Sequence, residues 1–82
     1  MLRIGLIGAG MIGATHAAVL QQIAAGLAGR IELSAVADPL PDRRRFFQEF
    51  YGFRRSYAGG DELLREAEID ALFVCTPTHD HA

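Results

Sequence analysis

Eighty-two residues allow one small domain, and half of them are hydrophobic against about a fifth charged, which excludes a disordered chain. The net charge of −2 offers no field that would gather nucleic acid or an anionic membrane. All eight basic residues are Arg, with no Lys, and the lone Cys75 excludes an internal disulfide framework and fits a reducing, cytoplasmic setting.

The chain opens with an apolar, glycine-rich stretch, "IGLIGAGMIGATH" from Ile4 to His16, and carries no charge as far as Gly29. A membrane span, a secretion signal and a strand entering a phosphate-binding turn all begin this way. Gly5, Gly8, Gly10 and Gly13 would each cost a spanning helix about 1 kcal/mol relative to Ala, and Thr15, His16, Gln21 and Gln22 interrupt it with polar groups. Arg3 before an apolar run and the small residues from Ala24 to Gly29 keep a signal peptide in view. The third reading accounts for the order of residues as well. Leu2–Ile7 is a short run suited to a buried strand. From Met11 the apolar positions Ile12, Ala17, Leu20, Ile23, Ala24 and Leu27 recur at helical spacing, and Gly26 and Gly29 close the helix. The glycines thus fall where a strand turns into a helix. Gly8 would permit the turn, Gly10 would let the backbone approach a pyrophosphate, and Gly13 would let helix and strand pack closely. The helix N-terminus would present unpaired N–H groups to the phosphate.

Such a turn is persuasive only with a second strand and an acidic residue behind it. "IELSAVA", Ile31–Ala37, is that strand and Asp38 that residue. A carboxylate there accepts hydrogen bonds from ribose hydroxyls and repels a 2′-phosphate, so it favours NAD over NADP. The segment "PLPDRRRFFQEFYGF" follows, with Pro41 placed to start a helix and Gly52 to end it. Phe46, Phe47 and Phe50 form one apolar side, read as core, and Arg43, Arg44 and Arg45 a solvated face. One of these Arg lying over an adenine or meeting a 2′-phosphate would weaken the preference for NAD. A third strand is expected around Arg54–Tyr57, a brief helix within "GDELLREAE", and a fourth, buried strand from Ile69 to Thr76, stopped by Pro77. The alternation predicts an α/β fold, β-α-β-α-β-α-β, with a partial Rossmann parallel sheet in strand order 3-2-1-4. Its ligand crevice should lie beyond the carboxyl ends of the first and fourth strands.

The succession "GAGMIGATH", "AVADP", "YGF", "DELL", "IDALFVCTP" and "HDHA" resembles the N-terminus of the glucose-fructose oxidoreductase / inositol dehydrogenase / MocA family, over essentially the whole chain. The resemblance implies an NAD(P)-dependent oxidoreductase that moves a hydride between nicotinamide and a carbon of a sugar, cyclitol or related alcohol. It places Gly8, Gly10, Met11 and Ile12 at the pyrophosphate, with Gly13 completing the cofactor-binding turn, Asp38 at the adenosine ribose and Arg43 near the adenine. Cys75, Thr76, Pro77 and Thr78 would line the path to the nicotinamide ribose, with His81 opening the next helix close by. The family's acid–base Lys and its substrate domain come later than Ala82. Residues 1–82 are therefore expected to be the N-terminal portion of a dinucleotide-binding domain, inactive alone, with no catalytic residue among them. A non-catalytic nucleotide-binding or regulatory module is the alternative. His79, Asp80 and His81 have metal-ligating chemistry but read more simply as a helix opening, and no metal is expected. His16 reads as a helix residue and Cys75 as packing. The expected partners are the dinucleotide and, in a longer form, a sugar-like substrate. The nearly unbroken apolar fourth strand suggests self-association along its edge.

Overall fold

A computed structural model describes residues 1–75 apart from Ala9, Ala28 and the side chains of Met11 and Ile12. The elements run β1 (Leu2–Ile7), α1 (Met11–Gly26), β2 (Ile31–Ala37), α2 (Pro41–Tyr51), β3 (Arg55–Tyr57), α3 (Gly60–Glu66) and β4 (Ala71–Val74). The four strands form one parallel sheet in the order β3-β2-β1-β4, the order predicted from the alternation. No described helix is long and apolar enough to cross a membrane.

The local signals act as their chemistry requires. Pro41 sits in the first turn of α2, where its missing N–H costs nothing, and Gly52 caps the other end at φ 86°, a left-handed conformation that favours glycine. In α3, Asp61 and Glu62 occupy the first turn and Arg65 the last, each complementing the helix dipole. The helix α1 ends at Gly26 with Leu27 as its cap.

The sheet divides the core in two. On one face Ile4 and Leu6 of β1 and Leu33 and Val36 of β2 meet Ala17 and Leu20 of α1, Phe47 of α2, Phe53 and Cys75. On the other, Ala35 and Ala37 of β2 pack with Leu63 of α3, joined by Ile7, Tyr57, Ala67 and Ile69. Strict strand alternation would send Leu33 and Val36 to opposite faces. A bulge prevents this: Ile4 pairs with Leu33 but Gly5 with Ala35, so Ser34 is an extra residue on β2. Its hydroxyl donates to Glu32 Oε2 at 2.7 Å.

Several expectations change. The third strand starts at Arg55, and the fourth spans Ala71–Val74, inside the expected Ile69–Thr76. This strand is not buried throughout: it is an edge of the described sheet, paired with β1 alone, and Leu72 and Val74 are exposed. Along α1, Ala17 and Leu20 are core and Ile23 and Leu27 are exposed. Of the three phenylalanines read as core on α2, only Phe47 is buried; Phe46 and Phe50 are 51% and 60% exposed. On the helical wheel Phe46 and Phe50 lie about 40° apart and Phe47 about 100° from Phe46, and the sheet meets the Phe47 side, leaving the other two on the helix's flank.

Candidate functional site: the carboxyl edge of the sheet

Three backbone hydrogen bonds cross the carboxyl ends of the strands in order. The Asp38 N–H donates to the Tyr57 carbonyl at 3.0 Å, Gly8 N–H to Ala37 at 2.9 Å and Cys75 N–H to Ile7 at 2.8 Å. They hold the residue after each strand level with its neighbours, so the glycine turn, Asp38 and Cys75 share one edge.

Gly8 adopts φ 86°, the left-handed region, and turns the chain out of β1 towards α1. Gly13, third residue of α1, lies directly over that turn: a Cβ there would come closer than 3.0 Å to the Gly8 carbonyl oxygen and within 3.3 Å of its carbon. The helix can approach only because position 13 has no side chain. Gly10 is the N-cap, extended at φ −81° and ψ −153°, with no side-chain cap and no acidic residue in the first turn of α1. Helix geometry leaves the first-turn N–H groups without intrahelical acceptors, and the absence of carboxylates there keeps their partial positive charge available. A Cβ at Gly10 would meet only Arg43 Nη1, at 3.8 Å.

Asp38 stands beside this turn, 3% exposed. Its Oδ1 accepts from the Leu40 N–H at 2.9 Å, an Asx turn that orients the carboxylate at the start of α2. Its Oδ2 is 3.6 Å from Arg43 Nη1. Arg44 Nη1 donates to the Asp38 carbonyl at 3.0 Å. The three arginines therefore differ. Arg43, exposed as expected, also reaches the space between Gly10 and Asp38, Arg44 clamps the backbone of the turn, and Arg45 lies on the solvated face. The Arg44 clamp escaped the sequence reading, although its position six residues after Asp38, on the first turns of the helix the Asp introduces, places it over that loop.

Cys75 is buried, and burial pushes its thiol up from the ordinary range, which favours the protonated form. His16, on α1, has its ring centroid 5.9 Å from that of Phe73 in a tilted contact. Thr76, Pro77, Thr78 and His81, expected near the nicotinamide, lie outside the described residues, as do His79 and Asp80. Among the described residues no cluster of His, Cys, Asp or Glu could hold a metal ion. At the opposite, amino edge a polar cleft of about 330 Å³ is lined by Arg3, Glu32, Arg54 and Glu68 among others. Its charges are largely satisfied by each other: Arg3 pairs with Glu68 and Asp70, and Arg54 with Glu32 at 3.0 Å.

Residues 2–82 match the sequence model of Gfo/Idh/MocA, described as an oxidoreductase family with an NAD-binding Rossmann fold. The chain belongs to this family. It is 36% identical to myo-inositol 2-dehydrogenase of Thermotoga maritima over 99% of its own length and 23% of the relative's. Among solved structures, a probable dehydrogenase from Thermotoga maritima is 38% identical with a TM-score of 0.78, over 98% of this chain and 22% of that one. The WlbA dehydrogenase from Chromobacterium violaceum, solved with NADH and UDP-GlcNAcA, is 28% identical with a TM-score of 0.81, over 94% and 21%. The chain thus spans less than a quarter of the length of these relatives and corresponds to the NAD-binding Rossmann part of the Gfo/Idh/MocA oxidoreductases.

Proposed function

We propose that the chain binds the adenosine and pyrophosphate of NAD along the Gly8–Gly13 turn. It would do so as the cofactor-binding portion of an oxidoreductase acting on a sugar, cyclitol or related alcohol. The observation that carries this reading is the juxtaposition of Gly10, Arg43 and Asp38 at one edge of the sheet. A dinucleotide needs a backbone surface that a phosphate can approach, donors for its charge and an acceptor for its ribose. Gly10 leaves the approach open, and the first-turn N–H groups of Met11, Ile12 and Gly13 supply donors. The Asp38 carboxylate stands beside that turn, its Oδ1 accepting from the Leu40 N–H and its Oδ2 3.6 Å from Arg43 Nη1. Arg43 would leave Oδ2 and lie along the adenine as the ribose hydroxyls take its place. The buried carboxylate disfavours a 2′-phosphate, hence the preference for NAD.

Bound nicotinamide supplies or takes the hydride. These residues hold and orient the cofactor, and no acid–base role is assigned to them. The alcohol substrate class is supported by the inositol dehydrogenase and by the WlbA dehydrogenase solved with UDP-GlcNAcA. Residues 1–82 are, on this reading, the N-terminal portion of a dinucleotide-binding domain, with Cys75, Thr76, Pro77, Thr78 and His81 towards the nicotinamide. Self-association along the edge of β4, where Leu72 and Val74 are exposed, belongs to the same proposal.

Titration calorimetry with NAD and NADP tests it. NAD should bind more tightly; equal or tighter binding of NADP would remove the role given to Asp38. Gly10→Val should fold, since only the mobile end of Arg43 lies near the new side chain, yet lose affinity for either cofactor. Unchanged affinity in the folded variant refutes the pyrophosphate site.

A further inference from the structure

We propose that the outer face of α2 is a self-complementary docking surface for the α2 of a second copy of this chain, paired antiparallel about a two-fold axis. The starting point is the aromatic pair that the core does not use. Phe46 and Phe50 are more than half exposed, and their rings stack at 5.0 Å with an interplanar angle of 11°. Tyr51 meets Phe50 edge-on at 4.9 Å, so the pair is held as a rigid apolar plate rather than as two independent side chains. Gln21 Nε2 on α1 donates to the Phe50 carbonyl at 3.1 Å and fixes the helix beneath the plate.

The occupant follows from the charges beside it. Arg45 and Glu49 lie one turn apart along one flank of the plate, both exposed, and neither forms an ion pair among the described residues. A two-fold axis level with Phe47 preserves that flank. It sets Arg45 level with the partner's Glu49 and Glu49 level with the partner's Arg45, and brings each Phe46, one residue from the axis, beside the partner's Phe46 about 3 Å away along the helix. A partner of one charge sign would satisfy only one of the two groups; a second copy satisfies both. An 11-residue helix is about 16 Å long, and each half-exposed Phe contributes roughly 100 Å². The buried area falls below the roughly 800 Å² per partner of a stable interface, so the pairing is a reversible one.

The experiment is sedimentation velocity over a concentration series on the wild-type chain, on Arg45→Glu, on Glu49→Arg, and on an equimolar mixture of the two variants, with circular dichroism confirming the fold. In each variant alone, two like-charge contacts replace two attractive ones, and self-association should weaken by about tenfold. In the mixture every 45–49 contact is again between opposite charges, and dimers should return. Raising the salt should weaken the wild-type dimer. Association through the edge of β4 is untouched by these changes. Equal association in all four samples therefore places the contact there and overturns the proposal. So does a wild-type chain that stays monomeric, or a mixture that fails to recover.

Discussion

Replacing Gly13 by Ala sets two effects of opposite sign against each other. In an open helix the change would stabilise by about 1 kcal/mol, the propensity difference between the two residues. Here the new methyl would sit closer than 3.0 Å to the Gly8 carbonyl oxygen, a backbone atom that no rotamer change can move aside. Either α1 lifts from the end of β1 or the turn at Gly8 deforms, and overpacking of this kind costs about 1–3 kcal/mol. Because the clash is with backbone, the upper part of that range applies, leaving a net loss of about 1–2 kcal/mol. Gly26→Ala is the control. It lies in the same helix with nothing within 4 Å of the added Cβ, and should gain up to about 1 kcal/mol. The two variants should differ by about 1–3 kcal/mol. At about 4–8 °C per kcal/mol for a domain of this size, that gap is at least about 4 °C in melting temperature. Thermal unfolding followed by circular dichroism reads it directly. A Gly13→Ala protein that melts at or above the Gly26→Ala protein would show that α1 does not need its close approach to the turn.

Two further outcomes are expected. Glu32 is held below the usual carboxylate range by the Ser34 hydroxyl and then by Arg54, and Asp70 by the Arg3 N–H and then by its guanidinium. Carboxyls depressed in the folded state stabilise it above their unfolded pKa, about 4, and that stability is lost as pH falls through their lower folded values. Urea midpoints should therefore drop between pH 5 and pH 2.5, and drop less in Glu32→Gln; an equal drop in both would clear Glu32 of any part in the acid response. Val74→Lys places a charge on an exposed position of the β4 edge, 62% accessible, and should reduce any strand-mediated association without unfolding the chain. Light scattering on concentrated samples that shows no reduction would leave that edge without a role.

Much of this architecture was legible in the residue order. Short apolar runs alternating with helical spacing call for parallel strands with crossover helices, and Pro41 and Gly52 mark a helix because each is suited to one end of it. The glycine turn and the place of Asp38 beside it were legible for the same local reason. Gly8 and Gly13 are required by backbone conformation and close approach, and Asp38 ends a strand that must lie beside the first. Burial was another matter, because it depends on what lies across from a side chain. Phe46, Phe47 and Phe50 are alike in sequence, yet only Phe47 meets the sheet. The apolar run of β4 reads as interior, yet strand order leaves Leu72 and Val74 at an edge. Nothing in "IELSAVA" announces that Ser34 is passed over in the pairing, although that bulge alone puts Leu33 and Val36 on the same face. The reach of Arg43 to Asp38 and Gly10 likewise needed the turn between β2 and α2 to be folded. Sequence determined which segments are strand, turn and helix, because those preferences reside within a few bonds. Tertiary structure decided which of their faces meet a neighbour, because that is a property of pairs of segments distant along the chain.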